Sequence, residues 1–326
     1  MKRKQIFYTL IMAAGLLTAC GEDDERIPAE PQTQSAADGG QAPADLTRHI
    51  SVEVSERPMA EEGTAEGRSL TTRAAITTTE TLRNFTMKGV YDGSKLTPEY
   101  HVEKSEGTGQ WTVDPNTWPL PDASDANTKV QFYAYTNGTF YSINGTPFID
   151  FTVAENASTQ YDLLVATNSV AYNDHKGTVP LIFDHACTAL AFNISMSNTL
   201  SGNLDGKTLT VTSIVLKNVR NKGKYYFGTT FDKSTWSVDV SSSANYTLYS
   251  SSGMVITTTP QAVSSDYLFM IPQERAADGE NGTYLKISYT VSGQEGSTAI
   301  IPLTVNWEKS TQYTINIKLG TKLITW

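Results

Sequence analysis

Strict alternation of apolar and polar residues in the last third of the chain is the strongest constraint on its fold. Leu285, Ile287, Tyr289 and Val291 alternate with polar or charged residues, and residues 313–319 repeat the pattern. Residues two apart lie on the same face of a strand, so each segment predicts a strand with one dry and one wet face. Strands of this kind are typical of an antiparallel β-sandwich.

The composition agrees with an all-β fold. The 326 residues include 44 threonines and 28 serines, whereas charged residues make up only 18%. Threonine is β-branched and suits a half-buried pleated surface, and no convincing amphipathic helix of three turns is present. A chain of this length can bury a sizeable core without disulfide or metal staples. The net charge of −9 disfavours a nucleic-acid partner.

Strands are also predicted for the part of the chain between residues 50 and 196. Asn137-Gly138 and Asn144-Gly145 can supply the positive φ angles of type I′ turns, so residues 130–153 are predicted to form an antiparallel meander. Additional strands are predicted near residues 50–54, 82–91, 161–166 and 181–196.

A boundary is predicted near residues 176–180, where Gly and Pro interrupt the pattern. It divides the body into residues 46–179 and residues 180–326. Each part is large enough for a seven-stranded sandwich, so the sequence predicts two antiparallel β-sandwich domains in tandem.

Residues 1–20 read as a targeting segment. Lys2, Arg3 and Lys4 precede an apolar run over residues 6–17, which is too short for a permanent transmembrane helix. The segment ends in Leu-Thr-Ala-Cys20, which resembles the bacterial lipobox. That resemblance implies that Cys20 carries the lipid anchor, palmitate included, and begins the mature chain. An ordinary signal peptide with a chance cysteine is the alternative.

Acidic residues follow Cys20 directly. Residues 22–25 are all Asp or Glu and resemble the export tag of surface lipoproteins in Gram-negative gut and oral anaerobes. A solvated acidic linker is the alternative. Residues 21–45 are rich in Pro, Ala, Gln, Asp and Gly and are predicted to be a flexible acidic linker.

Patterns for catalysis, metal and cofactor binding are weak. The chain has no GxxxxGK[ST], HExxH or GxSxG motif. Cys187 and His185 could form a nucleophile pair, but an inert buried thiol is favoured. His175 and His185 could converge with Asp174 or Asp184 on a metal, although separate surface and strand positions are preferred. We therefore predict no catalytic residue, no metal and no cofactor, and expect no enzyme activity.

Two polar or aromatic stretches allow other interpretations. Residues 122–127 loosely resemble a calcium loop but lack its Gly and terminal Glu, so a polar loop is preferred. Tyr100, Trp111 and Trp118 lie in a Pro-containing stretch and could stack on a sugar ring. They could equally cap a core, which is the favoured interpretation.

Four segments in order resemble the fimbrillin family, the type V pilins of Gram-negative anaerobes, which are made as lipoprotein precursors. They are residues 161–166 (YDLLVA), 183–186 (FDHA), 267–273 (YLFMIPQ), and Trp307 followed by 312–317 (QYTINI). The resemblance implies two stacked transthyretin-like β-sandwiches. It also implies that an arginine-specific protease removes the first strand of the lipidated precursor. The resulting groove then accepts a strand from another subunit.

The amino-terminal part of the body has the features that this resemblance requires. Leu46–Val54 can form a removable strand, and arginines follow at Arg57, Arg68 and Arg73. Arg57 precedes Pro58, and such bonds resist trypsin-like cleavage. We therefore predict cleavage after Arg73, with Arg68 as the alternative, so that residues 46–73 form the removable strand and loop.

The position of such a subunit in a fibre stays open at this point. Only residues 320–326 follow the last predicted strand, which is short for a complete donor strand, although residues 313–319 and 323–326 could act together. A stalk, a tip and an anchor subunit are all compatible with this.

The preferred hypothesis is a fimbrial subunit on the cell outer membrane, exposed at the surface and contributing to adhesion. Its predicted partners are other fimbrial subunits, an Arg-specific protease, the outer membrane through the lipid anchor, and a host or bacterial surface glycan or protein. The alternative is a monomeric surface lipoprotein that binds glycan through the aromatic residues near 100–118.

Overall fold

The computed structural model describes residues 48–62, 78, 80–292 and 294–324. They form an all-β protein, as the alternation predicts. The described strands are β1 (Ser51–Glu56), β2 (Ala60–Glu62), β3 (Asn84–Tyr91), β4 (Lys95–Leu96), β5 (Tyr100–Lys104), β6 (Trp111–Asp114), β7 (Val130–Tyr135), β8 (Thr139–Ile143), β9 (Thr146–Thr152), β10 (Leu164–Val170), β11 (Thr178–His185), β12 (Thr188–Met196), β13 (Leu209–Val219), β14 (Lys222–Tyr226), β15 (Thr235–Val238), β16 (Ala244–Val255), β17 (Gln261–Ala262), β18 (Leu268–Met270), β19 (Gln273–Arg275), β20 (Thr283–Val291), β21 (Ser297–Leu303), β22 (Val305–Trp307) and β23 (Thr311–Leu319).

Helix is confined to short turns in these residues. The α-helices are α1 (Tyr172–His175) and α2 (Asn198–Asn203), and 3-10 turns occupy Ala123–Asp125, Ala157–Thr159 and Phe231–Lys233. Within the described ranges, no helix has the length and apolar character needed to cross a bilayer.

The first sheet has the strand order β1-β11-β10-β7-β3-β5-β6, with β4 attached to β3. Its β1–β11 pair is parallel, and its other pairs are antiparallel. The sheet curls so that β1 also lies beside β6. The first core fills its concave side and includes Met87, Tyr100, Trp118, Phe132 and Phe183.

A second core lies among the remaining sheets. Their strand orders are β17-β12-β23-β2 with β18 on β12, β16-β13-β20-β21, β15-β14-β9-β8, and the pair β19-β22. Leu285, Ile287, Tyr289 and Val291 of β20 are each at most 2% exposed in this core. Burial of such side chains contributes about 1.5–3 kcal/mol each to the stability of the folded state. The apolar residues of the predicted alternation are therefore the ones whose burial stabilises this sheet.

One of the two predicted hairpins is confirmed and the other is wrong. Asn144 and Gly145 have φ values of 52° and 75° and join β8 to β9 as a two-residue type I′ turn. By contrast, β7 pairs with β3 and β10, while β8 pairs with β9. Asn137-Gly138 therefore connects two different sheets instead of closing a hairpin. The Asn137 side-chain amide donates to the Asp162 carbonyl oxygen at 2.8 Å and holds this connection in place.

The predicted strand at 181–196 is two strands in different sheets. β11 belongs to the first sheet and β12 to the second core, with the break at Ala186 and Cys187. The Ala186 amide donates to the Leu163 carbonyl oxygen at 2.8 Å, and the Cys187 carbonyl oxygen accepts from the Ser310 amide at 2.9 Å. Apolar residues run through both strands, so the pattern does not reveal the break.

The predicted boundary between residues 179 and 180 falls inside β11 and does not follow the sheets. In addition, β9 pairs with β14, placing Ile149 opposite Tyr225 in the second core. The chain from residue 47 onward clusters as one compact unit. The division into two tandem transthyretin-like sandwiches stays a prediction.

Candidate functional site

The amino-terminal strand β1 occupies the edge of the first sheet. It pairs in parallel with β11, from Ser51 opposite Thr178 to Glu56 opposite Phe183. Ile50 is 2% exposed, and Val52 and Val54 are half-buried against the first core. The predicted alternation of this segment is confirmed: its apolar residues face inward and its polar residues face solvent.

Hydrogen bonds from the loop after β6 hold the amino-terminal end of this segment. The Asn116 side-chain oxygen accepts from the Ile50 amide at 3.2 Å. The Trp118 amide donates to the Arg48 carbonyl oxygen at 2.7 Å. The Arg48 guanidinium carbon lies 4.8 Å from the centre of the Tyr172 ring. These contacts close the curled sheet at the start of β1.

An ion pair holds the other end of β1. Arg57 Nη1 lies 2.9 Å from Asp184 Oδ1 and 3.0 Å from Oδ2, and the Arg57 amide donates to the Phe183 carbonyl oxygen at 2.9 Å. The Asp184 side chain is only 7% exposed. Burial raises the pKa of Asp184, and the Arg57 guanidinium opposes that shift. Removing Arg57 would therefore leave a largely buried carboxylate without this cation.

The same segment continues onto the second core. Strand β2 pairs in parallel with β23, from Ala60 opposite Thr311 to Glu62 opposite Tyr313, and Met59 is buried. Strand β2 is not predictable from the sequence pattern, because its three residues end in two glutamates and carry no periodic signal. Residues 48–62 consequently cover the edges of β11 and of β23 together.

The departure of a segment that covers two strand edges would expose both edges. If residues 48–62 leave, the backbone N–H and C=O groups of β11 and β23 that they satisfy become unpaired. An apolar slot that now holds Ile50, Val52 and Val54 opens at the same time. An extended segment with matching side chains would satisfy both the backbone and the slot.

Several predicted sites lie outside the described residues. They are the lipidation site Cys20, the signal peptide 1–20, the linker 21–45, and the predicted cleavage sites Arg68 and Arg73. Arg57 does lie within the described residues, where its backbone amide and side chain are both engaged at the end of β1.

The aromatic residues considered for sugar stacking belong to the first core. Tyr100 and Trp118 are 0% and 1% exposed. The Trp118 ring packs 5.5 Å from that of Phe132, and the half-buried Trp111 ring lies 5.3 Å from that of Phe85. The favoured interpretation, a cap on the core, is confirmed, and Tyr100 and Trp118 present no face to a ligand in this conformation.

The other candidate groups also have structural positions. Cys187 is fully buried, and burial, with the charge of Asp162 adding to it, raises the pKa of its thiol well above the ordinary value. His185 is buried and its Nδ1 contacts the Asp162 carboxylate, whereas His175 ends α1 on the surface. The Ala123–Asp125 turn occupies the loosely calcium-like loop. Over the described residues, no group of three or more His, Cys, Asp or Glu could hold a metal ion.

The end of the chain also packs on its own body. β23 pairs with β12 on one side and with β2 on the other, and Leu319 is buried. Beyond it, Ile324 is 2% exposed in the second core. Residues 313–319, which together with residues 323–326 could act as a donor strand, are therefore part of this chain's own sheet in the structure. Residues 325 and 326 of that prediction lie outside the described residues.

Gly177 sets the distance between β11 and the start of β1. Its φ is +87°, and a Cβ placed there would lie 2.2 Å from the His49 carbonyl oxygen. We expect Gly177→Ala to push this backbone away and to lower the local opening free energy of residues 48–56 by about 1–3 kcal/mol. Hydrogen exchange of the β1 amides measures this.

Gly206→Ala is the matched control. Gly206 has a similar φ of +79° but nothing lies within 4 Å of its added Cβ. Its substitution should leave the exchange of β1 unchanged. Equal β1 protection in Gly177→Ala and in the control would contradict the close approach.

Fold and site together define a class of protein: an all-β chain whose amino-terminal segment covers the edges of two strands, β11 and β23. The chain belongs to the fimbrillin-like family, whose model matches residues 68–326. This match confirms the family inferred from the sequence resemblance. It begins after β1 and β2, so the segment that covers the two edges precedes the matched region.

Solved structures are similar in fold. A fimbrial protein from Bacteroides vulgatus is 19% identical with a TM-score of 0.54, and the match covers 83% of this chain and 95% of that one. A candidate cell adhesion protein from Bacteroides ovatus is 14% identical with a TM-score of 0.48, covering 86% and 95%. Another from Bacteroides eggerthii is 15% identical with a TM-score of 0.48, covering 85% and 88%. No curated protein sequence matches this chain.

Proposed function

We propose that this chain is a structural subunit of a cell-surface fimbria that contributes to adhesion and assembles by β-strand exchange. One observation carries the proposal: residues 48–62 cover the edges of β11 and β23, and residues 63–77, which contain Arg68 and Arg73, connect them to the rest of the body. Membership of the fimbrillin-like family supports the same role.

Proteolysis would convert this segment from a covalent part of the body into a bound ligand. After cleavage at Arg73 or Arg68, hydrogen bonds, the Arg57–Asp184 pair and apolar contacts alone hold β1 and β2. Each of Ile50, Val52 and Val54 contributes about 1.5–3 kcal/mol at most, and the two valines contribute less because they are only half-buried. A strand that fills the same slot more completely could displace them.

The proposal includes export as a lipoprotein anchored through Cys20 to the outer membrane and exposed at the cell surface. The lipobox-like sequence before Cys20 and the acidic residues 22–25 support it. An Arg-specific protease and other fimbrial subunits are the proposed partners. The glycan-binding alternative loses support, because Tyr100 and Trp118 are buried in the first core.

The proposal predicts that cleavage controls assembly. The double variant Arg68→Ala/Arg73→Ala should stay monomeric after treatment with an Arg-specific protease, whereas the wild type should form ladders on a non-boiled gel. The physical reason is that an intact connection keeps β1 and β2 at high effective concentration beside their edges.

Arg83→Ala is the control, since Arg83 is exposed and lies beyond this connection. It should polymerise like the wild type. If the double variant formed polymers as long as those of the wild type, residues 48–62 would not be the segment that blocks assembly before cleavage.

A further inference from the structure

Arg57 stands between two cavities on the surface of the protein. A cavity of about 450 Å³ lies on the side of β10 and β14, and one of about 740 Å³ lies towards β22 and β23. Both cavities are lined by Arg57, Asp184, Phe231 and Asp232. The two cavities therefore share the Arg57–Asp184 ion pair in their walls, and departure of residues 48–57 would expose Asp184 in a groove beside β11.

Arg57 is the largest of the opposite charges that act on Asp184. The charge of His185 also lowers the pKa of Asp184, after the larger effect of Arg57, and the charge of Asp232, a second acid nearby, raises it. The His185 ring contacts Asp162. Lys309 Nζ donates to the carbonyl oxygens of Phe231 and Ser234, both at 2.6 Å. Burial lowers the pKa of Lys309, and the charges of Asp232 and Asp184 oppose that shift, although among the described residues Lys309 forms no ion pair with Asp184. In the part of the chain that the structure describes, the Asp184 ion pair is with Arg57.

The covering segment, residues 48–62, therefore has a defined chemical pattern. The aliphatic side chains of Ile50, Val52 and Val54 pack against the first core. Arg57, three residues after Val54, forms the ion pair with Asp184. Among all lysines and arginines of the sequence, only Arg57 and Lys322 have Ile, Leu, Val or Met at seven, five and three residues before them. In the second occurrence the three aliphatic residues lie on β23, which pairs with β12 in its own sheet, and Lys322 follows the end of that strand.

We propose that Asp184 is the specificity-determining residue of this groove, and that the partner is an extended segment of another subunit with three alternating aliphatic residues and a Lys or Arg three residues beyond them. This inference rests on the strand exchange proposed above. A neutral or acidic residue at the cation position leaves the Asp184 carboxylate buried beside Asp232 with no opposite charge from the strand, so such strands are rejected.

The test uses the chain from residue 21 with a site for an unrelated protease inserted between residues 63 and 77. After cleavage, excess fluorescent peptide of residues 48–58 displaces the covering segment, and its residence time is measured. Three peptides are compared, with Arg, Gln or Glu at position 57. On the wild-type body, the Arg peptide should stay bound at least about tenfold longer than the Gln peptide, and the Glu peptide should bind least.

Charge reversal makes the test specific. On Asp184→Lys the order should invert, so that the Glu peptide stays longest, whereas on the control Asp232→Asn the wild-type order should persist. If Asp184→Lys does not fold, the covering segment with Arg57→Gln provides the second arm, because the Arg57 side chain is 56% exposed. That variant should release its cleaved segment at least about tenfold faster than the wild type.

Equal residence of the three peptides on the wild-type body overturns the role of Asp184. A peptide that never replaces the covering segment overturns both this inference and strand exchange. If the peptides rank as expected but the protein forms no polymer after Arg-specific cleavage, the role of Asp184 stands and the fimbrial assembly proposed above fails.

Discussion

A disulfide between β1 and β11 should abolish polymerisation of fully cleaved protein, and a reductant should restore it. Ser51 Oγ and Thr178 Oγ1 lie 2.9 Å apart on paired positions of the two strands. The variant Ser51→Cys/Thr178→Cys would therefore tie the covering segment to its edge. Proteolysis would still cut the connection at Arg68 or Arg73, but the segment could not leave. The measurement is the polymer ladder after Arg-specific cleavage, with and without reductant.

Each single cysteine variant is a control and should polymerise with or without reductant. The chain is made from residue 21, so that Cys187 is its only native cysteine, and that thiol is fully buried. Polymerisation of the oxidised double variant would mean that assembly does not use the edge of β11. The experiment thus separates cleavage from departure of the strand, which the arginine variants alone do not.

The second large effect is expected at Trp118. Trp118→Ala should lower the free energy of unfolding by about 3–5 kcal/mol, because it deletes a fully buried indole from the first core. The ring packs against Phe132 and Tyr172. Urea denaturation measures the loss. The loss should accompany faster release of β1, because the Trp118 amide bonds the Arg48 carbonyl oxygen and the surrounding loop would shift.

Tyr161→Ala is the comparison, since Tyr161 is 70% exposed, and it should change stability by no more than about 0.5 kcal/mol. An unaltered midpoint in Trp118→Ala would show that the indole is not a core residue. A glycan-binding surface would then regain its best candidate.

Local patterns predict much of this fold because each depends on few neighbours. The period-two alternation of β20 requires only that one face be dry, and the Asn144-Gly145 turn requires only positive φ angles. The break between β11 and β12, by contrast, cannot be predicted from neighbouring residues. It depends on which distant strands, β10 and β23, lie beside each half. No property of residues 186 and 187 alone reveals that dependence.

The candidate site shows the same division. The alternation of Ile50, Val52 and Val54 was enough to predict the covering strand, yet its parallel pairing with β11 comes from topology. The sequence pattern marks Arg57 only as a cleavage site disfavoured by Pro58, and Asp184 only as a weak metal-ligand candidate within a family-like segment. A charged residue within an otherwise apolar strand needs a partner when buried. That rule, applied to Asp184, is the signal that would have pointed to Arg57.

The parallel pairing of both β1 and β2 has a consequence for the shape of any fibre. The two strands run the same way along β11 and β23, so a replacing segment crosses both edges in a single pass, over about 36 Å at full extension between residues 51 and 62. A segment entering backwards would place its cation at the end of the groove away from Asp184. Under the proposed strand exchange, successive subunits would therefore share one orientation, as in a head-to-tail contact that does not close into a ring. A filament assembled in this way would be polar, with two chemically different ends.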